Sequence, residues 1–473
     1  MDEGKANAAE EAQGPAAGSG RRIARGLAAN LASIGTRILV QFATLPIFFA
    51  NWSPERVGTW LIVFAIPVYI ALVGNGFCGA GGTSSLAAAQ AGDMRAARTN
   101  FRAAWTISAM STAVLALLFA GTAMFLTPSL IEPRAEVEIW DIAKAAAWLS
   151  LYIFASNQMA VFDIPFRVAG RYPDHIFLFN ATSLLEIVVI AAAVTFSQSL
   201  AVLAMSLALF RCLAAAYILY TARRAEPRLF KGEHDPVSSR LGELWKPSLA
   251  FMMLPLIYGL NLQGYVLVVS AAFGAVVLAG FVATRVLTRM LDLGTNIAFA
   301  MLFYESGYLE ADRKAIQRRM LATVTAGSLV LAVGFTVVLM LLGAWAQDLY
   351  TLGETRFAPA VALVLVCAST FRALSAAPIA ILAAENAHPP VMTRYLAGSA
   401  AALALATLFG AADLPLPVIL LPIIAAEASQ MVPAMSRALA HLKIAPADFL
   451  RTLVSRERIS DVKALIHTLG KKA

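Results

Sequence analysis

Two predicted helices carry polar and charged side chains at a spacing that places each set on one helical face. Steps of three or four residues line one side of an α-helix. The first set comprises Asn30, Ser33, Arg37, Gln41 and Thr44. The second set comprises Arg285, Thr288, Arg289, Asp292 and Asn296. Arginine stays charged when buried and offers phosphate oxygens two parallel hydrogen bonds. The two faces therefore indicate an anion-binding site.

Structural pairing is the alternative interpretation of these arginines. An ionisable group deep in a membrane is unfavourable unless it faces a partner or a cavity. Arg289 has Asp292 three residues away, and Arg37 has Glu186 or Glu427 as candidate partners elsewhere in the chain. Two further arginines either join the anion site or pair structurally, and they are Arg211 and Arg372.

Four acidic residues are candidates for coupling transport to a proton or cation. They are Asp292, Glu186, Glu427 and Asp163. Asp163 lies near the predicted cytoplasmic end of its helix and suits loop chemistry. Asp292 is the best placed, but its neighbouring arginines favour the ionised form and make it a weaker proton carrier. No single coupling residue follows from the sequence.

The elements that position these side chains are transmembrane helices. The 473 residues are 59% hydrophobic and 14% charged, and their mean hydropathy is +0.71. Soluble domains have about 45–50% apolar and about 25% charged residues, and a soluble globule must still cover itself with polar groups. The net charge of +8 is typical of cytoplasmic loops rich in Lys and Arg, so we predict no nucleic-acid partner.

The predicted fold is an all-α integral membrane protein of about twelve transmembrane helices. A span needs about 20 largely apolar residues. Loops on one side hold roughly twenty-seven Lys and Arg and those on the other about three, which predicts cytoplasmic N- and C-termini. The spans that carry most of the argument are the first, second, seventh and eighth, predicted at Ile23–Phe49, Val57–Ala88, Pro247–Ser270 and Ala275–Phe303.

The twelve spans divide into two pseudo-symmetric halves of six, with a central cavity expected between them. Gly76 and Gly294 are separated along the chain by the same interval as Arg95 and Arg313, and the turns that end at Pro173 and Pro389 repeat at nearly that interval. The predicted segments are a disordered cytoplasmic N-terminus (1–22), a first six-helix half (23–220), a cytoplasmic linker (221–246), a second six-helix half (247–442) and a cytoplasmic amphipathic tail (443–473).

Several other patterns argue against enzymatic or cofactor chemistry. Gly74-Asn-Gly-Phe-Cys-Gly79 has dinucleotide-binding spacing, but it ends a transmembrane helix instead of linking a strand to a helix. No GxxxxGK[ST] motif occurs, the five histidines are scattered, and the three cysteines stand alone. We therefore predict no cofactor, no bound metal and no enzymatic activity.

The stretch from Asn30 through Arg98 resembles a known family. The resembling residues are the link Ser53-Pro-Glu-Arg-Val-Gly58-Thr-Trp60, the helix end Leu72-Val-Gly-Asn-Gly76 and Ala91-Gly-Asp93 with its following arginines. They are similar to those of the polysaccharide (O-antigen repeat-unit, Wzx-type) flippases of the multidrug/oligosaccharidyl-lipid/polysaccharide exporter superfamily. That family commonly has an acidic residue before the second-span glycine, whereas this chain has Asn75.

The resemblance implies a flippase that carries polyprenyl-pyrophosphate-linked oligosaccharide from the cytoplasmic to the outer leaflet by alternating access. It places the chain in the bacterial inner membrane, among membrane lipids, with a polysaccharide polymerase and glycosyltransferases as candidate partners. Arg37, Arg285 and Arg289 would bind the pyrophosphate. The residues expected to line the cavity are Asn30, Gln41, Asn75, Tyr258, Asn261 and Asn296.

Two other functions remain as alternatives. A cation-coupled multidrug exporter of the same superfamily would need an acidic, aromatic cavity, whereas the two polar faces here are rich in arginine. A membrane polysaccharide polymerase or ligase would need a sizeable outer loop for its catalytic groups. The longest predicted outer loops are short, at Thr127–Glu138 and Gly343–Phe357.

Overall fold

The structure is a computed structural model. It describes residues 15–130, 137–238, 248, 252–253, 256–292, 313–384, 387–453 and 455. Within these ranges the side chains of residues 15–31, 68–69, 71–75, 126–130, 313, 315–316 and 384 are outside the description. Every regular element in the described ranges is a helix, as expected for the all-α membrane class.

The chain forms two compact units, and one helix contributes to both. The first unit comprises Met1–Asn51 and Ile70–Met252, and the second comprises Trp52–Tyr69 and Met253–Ala473. Helix α2 runs from Pro54 to Gln90, so its first part belongs to the second unit. The other helices of the first unit are α1 (Pro15–Phe49), α3 (Met94–Leu130), α4 (Ile139–Val161), α5 (Asp163–Val168), α6 (Tyr172–Phe196) and α7 (Leu200–Ala225).

The second unit contains the remaining helices. A π-helical turn at Leu260–Gly264 leads directly into α8. Helices α8 to α14 are Tyr265–Thr288, Arg313–Thr351, Pro359–Ala384, Pro389–Ala411, Leu416–Leu420, Pro422–Leu442 and Pro446–Leu453.

Ten helices among the described residues are long and apolar enough to cross a membrane. One of the ten, Leu256–Asp292, contains two helices, because Gly274 has φ 79° and ψ −175° and interrupts the helical backbone. Glycine adopts this positive φ without the steric penalty of a Cβ atom. The 37-residue helix α2 is not among the ten. Separating the two helices at Gly274 and adding α2 gives twelve, the number expected from the sequence.

The first described helix begins inside the segment 1–22. Residues 1–14 lie outside the described part, but α1 already begins at Pro15, before the predicted end of the disordered segment at residue 22. Proline suits the first turn of a helix because the N–H that it lacks would have no partner there. The helix therefore begins well before its candidate membrane span, which is Ala32–Phe49.

Small side chains allow close packing within each unit. In the first unit α4 packs along both α3 and α7, with Ala143, Ala145 and Leu149 fully buried. In the second unit, a Cβ on Gly58 would clash with the backbone carbonyl of Ala275. Only glycine permits this approach between α2 and α8, which gives a physical reason for the glycine in the Ser53–Trp60 link.

Asp141 of α4 caps the start of α7. Its carboxylate accepts hydrogen bonds from the backbone N–H groups of Leu200 at 2.7 Å and Ala201 at 3.2 Å. Ser199 supplies a second cap by accepting from Val202 N at 3.2 Å. Free N–H groups at a helix start need such acceptors, and this cap ties two transmembrane helices of the first unit together.

The described start of the predicted amphipathic tail packs against protein. Phe449 of α14 is buried in a cluster with Leu321 of α9 and with Ala438 and Leu442 of α13. Leu450 beside it is exposed. The apolar face of α14 is thus directed in part at the second unit, and the tail after residue 455 lies outside the described residues.

Candidate functional site

The second unit holds an ion network in its membrane-spanning helices. Arg372 of α10 donates from Nη1 to Asp292 Oδ2 at 3.0 Å and from Nε to Glu427 Oε1 at 3.2 Å, and its Nη2 also pairs with Glu427. Glu427 of α13 is completely buried. Helix α10 packs on α13, and this packing brings the side chains of Arg372 and Glu427 together.

A tyrosine and an asparagine extend this network. Tyr395 of α11 donates its hydroxyl to Glu427 Oε2 at 2.8 Å, and Asn261 Nδ2 donates to the Tyr395 oxygen at 3.2 Å. Asn261 lies in the π-helical turn, and its buried Oδ1 has no hydrogen-bond partner among the described residues. Buried polar groups are usually hydrogen-bonded, so this oxygen is available to a donor from a ligand.

Two arginines of the second polar face lie at the end of α8. The Nε of Arg289 is 3.7 Å from Asp292 Oδ2, so one carboxylate oxygen faces two guanidinium groups, those of Arg289 and Arg372. Arg285 donates from Nη1 to the carbonyl oxygen of Leu262 at 2.6 Å and lies 5.1 Å from the ring centroid of Phe281. Among the described residues, no carboxylate forms an ion pair with Arg285.

Among the described residues, the charges of this network do not cancel. Arg289 and Arg372 offset Asp292 and Glu427, and Arg285 adds one positive charge. Its bond to Leu262 O uses a carbonyl in the π-helical turn, and such turns occur frequently at functional sites. A charged group in a membrane interior is unfavourable unless it meets a partner. The arrangement therefore suits an anion.

The first unit contains a smaller cluster. Arg211 of α7 pairs with Glu186 of α6, and Tyr152 of α4 donates its hydroxyl to Glu186 Oε1 at 2.8 Å. The Arg211 guanidinium also lies 5.2 Å from the ring centroid of Tyr152 and 5.9 Å from that of Phe179. One positive and one negative charge balance here, and aromatic rings cover the arginine.

These contacts decide the pairing question raised by the sequence. Arg289 and Asp292 face each other, as the structural interpretation expected. The suggested pairing of Arg37 with Glu186 or Glu427 is wrong, because the packing of the helices gives these carboxylates to Arg211 and Arg372. Both of those arginines pair structurally, which was the second of the two interpretations open for them.

Of the other predicted residues, Tyr258 lies close enough to Arg372, Glu427, Asp292 and Arg289 to interact with them electrostatically. Arg37 is exposed and Gln41 partly buried on α1 of the first unit, and Tyr258 of the second unit is 40% exposed. Asp163 pairs with Arg167, and its Oδ1 is 3.2 Å from His175 Nδ1. The side chains of three predicted cavity residues lie outside the described residues, and they are Asn30, Asn75 and Asn296.

Sequence reasoning missed the tyrosines and the central position of Arg372. Tyr152 and Tyr395 stand alone in apolar stretches, where a buried core tyrosine is the ordinary interpretation. One signal was available: Arg211 and Glu427 are separated by the same interval as Pro173 and Pro389 of the two tight turns.

Among the described residues, no group of three His, Cys, Asp or Glu side chains could hold a metal ion.

Comparison with known proteins gives matches to structures but not to sequences. No family model matches the chain, and no curated protein matches it. An inward-facing multidrug-resistance MATE transporter of the MOP superfamily is similar, at 14% identity and a TM-score of 0.64, over 86% of this chain and 95% of that one.

Two further solved structures are also similar. The lipid II flippase MurJ in an inward closed conformation matches at 11% identity and a TM-score of 0.65, over 93% of each chain. The MATE multidrug transporter DinF-BH matches at 12% identity and a TM-score of 0.57, over 87% of this chain and 94% of that one. These proteins are transporters and a flippase, not enzymes. The fold of this chain is therefore similar to the folds of these solved membrane proteins, and its apolar helices make it a multi-pass membrane protein.

Proposed function

We propose that this protein is a flippase for a polyprenyl-pyrophosphate-linked oligosaccharide, which it moves from the cytoplasmic to the outer leaflet for polysaccharide biosynthesis. The observation that carries the proposal is Arg285, a guanidinium in a membrane-spanning helix that no described carboxylate neutralises. Pyrophosphate is the part of such a substrate that an arginine recognises best, because guanidinium and phosphate match in geometry and charge.

The ion network supports this proposal by holding the site in place. Asp292 and Glu427 engage Arg372, and Asp292 also faces Arg289. Because both acids pair with other arginines of the protein, Arg285 is available to bind an external anion. Arg289, whose side chain is 36% exposed, is the second proposed contact with the same pyrophosphate. Arg37, exposed on α1, is the third proposed contact.

The sugar part of the substrate needs hydrogen-bonding groups without large charge. Asn261 offers its Oδ1, which has no hydrogen-bond partner among the described residues, and Tyr258, a partly exposed residue, offers its hydroxyl. We propose the same role for Gln41, Asn30, Asn75 and Asn296. Alternating access would then present this site first to the cytoplasm and afterwards to the outside. The proposed location is the bacterial inner membrane with both termini in the cytoplasm, and polymerase and glycosyltransferases remain proposed partners.

Substitution of Arg285 tests the function. In cells or proteoliposomes with a labelled lipid-linked oligosaccharide, we expect Arg285→Ala to slow its appearance in the outer leaflet on the order of tenfold to hundredfold, since a charged hydrogen bond contributes about 1.5–3 kcal/mol. Arg289→Ala and Arg37→Ala should give smaller losses. Leaflet position is measured with a membrane-impermeant sugar-modifying reagent. Arg394→Ala is the matched control, because Arg394 is exposed on α11 and has no proposed role.

Two outcomes would overturn the proposal. Export at the wild-type rate by all three single variants, with normal amounts of folded protein, would exclude the pyrophosphate site. Efflux of a lipophilic cation such as a rhodamine dye by the wild type, with no movement of the lipid-linked sugar, would instead identify the multidrug exporter. The variant Arg285→Lys tests whether the charge of Arg285 or its geometry matters, because lysine keeps the charge and loses the bidentate geometry.

A further inference from the structure

The first unit contains a large pocket that the proposed transport mechanism does not use. Its volume is about 940 Å³, and it lies where α3 begins and α7 ends, beside the chain segment that follows α7. Its aromatic lining residues are Phe101, Trp105, Tyr220 and Phe230. Loop charges predict that this end of α7 faces the cytoplasm.

The pocket is strongly basic. Its basic lining residues are Arg102, Arg223, Arg224, Lys231 and His234, and no acidic side chain is among the described residues that line it. None of the three arginines, nor Lys231, forms an ion pair with any described residue. Aromatic faces and carbonyls hold the arginines instead: Arg224 lies 4.5 Å from the ring centroid of Tyr220, and Arg102 Nη2 donates to Phe230 O at 3.1 Å. Their positive charge is therefore not neutralised within the described part of the chain.

The acids nearest to the pocket are already paired with other arginines. Glu226 accepts two hydrogen bonds from Arg228, at 2.7 and 2.8 Å, and these bonds lower the pKa of the Glu226 carboxyl. Asp235 pairs with Arg95 at 2.8 Å. Arg95 and Arg228 are not among the residues that line the pocket. Among the described residues, acids pair with the arginines outside the pocket, and none pairs with the arginines that line it.

An exposed apolar stripe on α7 leads from the membrane to this pocket. Leu213, Tyr217 and Tyr220 are 71%, 58% and 50% exposed, and Arg224 follows them at the same helical spacing. Residues at steps of three and four share one helix face. Because α7 is apolar enough to cross the membrane, this face meets lipid, and the aromatic residues near its end suit the headgroup region.

We propose that the pocket binds the phosphate headgroup of an anionic phospholipid of the inner leaflet, with one acyl chain lying along the Leu213–Tyr217–Tyr220 stripe. Basic pockets at the cytoplasmic ends of membrane helices bind such headgroups. The guanidinium groups of Arg223 and Arg224 contact the phosphate oxygens, and Lys231 adds a third positive charge. The stripe distinguishes a lipid from a soluble phosphate, which would need the basic groups alone.

Native mass spectrometry of the full-length protein in detergent tests this proposal. The probes are dihexanoyl phosphatidylglycerol and, with the same acyl chains, dihexanoyl phosphatidylcholine. We expect the anionic lipid to bind at least tenfold more tightly than the zwitterionic one. The variant Arg223→Gln/Arg224→Gln should weaken binding of the anionic lipid by about 25-fold, because each basic side chain near an anionic headgroup contributes on the order of fivefold.

The matched control is Arg394→Gln/Arg451→Gln, which removes two exposed arginines of the second unit. It should bind the anionic lipid like the wild type. Arg223 and Arg224 are also exposed, so both double variants should fold, which gel filtration and circular dichroism verify.

Three results would overturn the proposal. The first is equal binding of the two lipids, and the second is equal weakening by the pocket variant and the control. The third comes from competition. If inorganic phosphate displaces the anionic lipid at equal concentration, the site recognises free phosphate. If a polyprenyl phosphate displaces it far below equal concentration, the pocket belongs to the transported lipid.

Discussion

The two units contain the same buried arrangement of three side chains, used in two different settings. In each, a tyrosine hydroxyl donates at 2.8 Å to one oxygen of a glutamate while an arginine pairs with the other. The clusters are Tyr152–Glu186–Arg211 in the first unit and Tyr395–Glu427–Arg372 in the second. The interval between the two tight turns relates Arg211 to Glu427, so the basic residue of the first cluster and the acidic residue of the second occupy corresponding positions.

The difference lies in what surrounds each cluster. In the first unit, the rings of Tyr152 and Phe179 cover Arg211, and the two charges balance. In the second unit, Asp292 is shared by Arg372 and Arg289, and Arg285 stands beside them without a described carboxylate partner. We infer that the first cluster only holds helices together, whereas the second also positions a site for an anion.

The largest expected effect comes from breaking the first cluster. Arg211→Gln leaves Glu186 buried without its counter-charge, and breaking a buried ion pair by removing one partner costs about 3–5 kcal/mol. The free energy of unfolding, measured in mixed detergent micelles, should fall by that amount. The double variant Arg211→Gln/Glu186→Gln should recover most of the loss, since replacing both partners is often nearly neutral. A loss no greater than that of the exposed control Arg394→Gln would show that the pair is unimportant.

The corresponding double variant in the second unit should recover less. Arg372→Gln/Glu427→Gln balances the charge again, but Asp292 loses its 3.0 Å contact with Arg372, while Arg289 stays 3.7 Å away. A buried acceptor that loses its hydrogen bond costs about 1–3 kcal/mol. The free energy of unfolding should therefore stay lower than that of the first-unit double variant by this amount. Equal free energies of unfolding for the two double variants would show that the contact between Asp292 and Arg372 does not stabilise the protein.

The helices and the polar face of α8 could be predicted because both depend on local pattern. Apolar length predicts a span, and the spacing of Arg285, Arg289 and Asp292 places them on one face without knowledge of the rest of the chain. The partners of Arg211 and Arg372 could not be predicted in this way. Each of the two glutamates lies on a different helix from its arginine, so the choice among several carboxylates depends on which helices pack together.

The smallest expected effect distinguishes the two tyrosines. Tyr152→Phe removes the hydrogen bond to Glu186 and keeps the ring beside Arg211, so we expect a loss of roughly 0.6 kcal/mol, the average for such bonds in membrane proteins. Tyr395→Phe removes the bond to Glu427 and also the acceptor of Asn261. We expect about twice the loss, measured in the same unfolding assay.

The exposed Tyr217 provides the control, and Tyr217→Phe should leave the free energy of unfolding unchanged, because its side chain lies on the lipid-facing side of α7. If Tyr152→Phe and Tyr395→Phe lower the free energy of unfolding equally, the hydrogen bond from Asn261 to Tyr395 does not stabilise the protein. The π-helical turn would then support the anion site through the Leu262 carbonyl that accepts from Arg285, and not through Asn261.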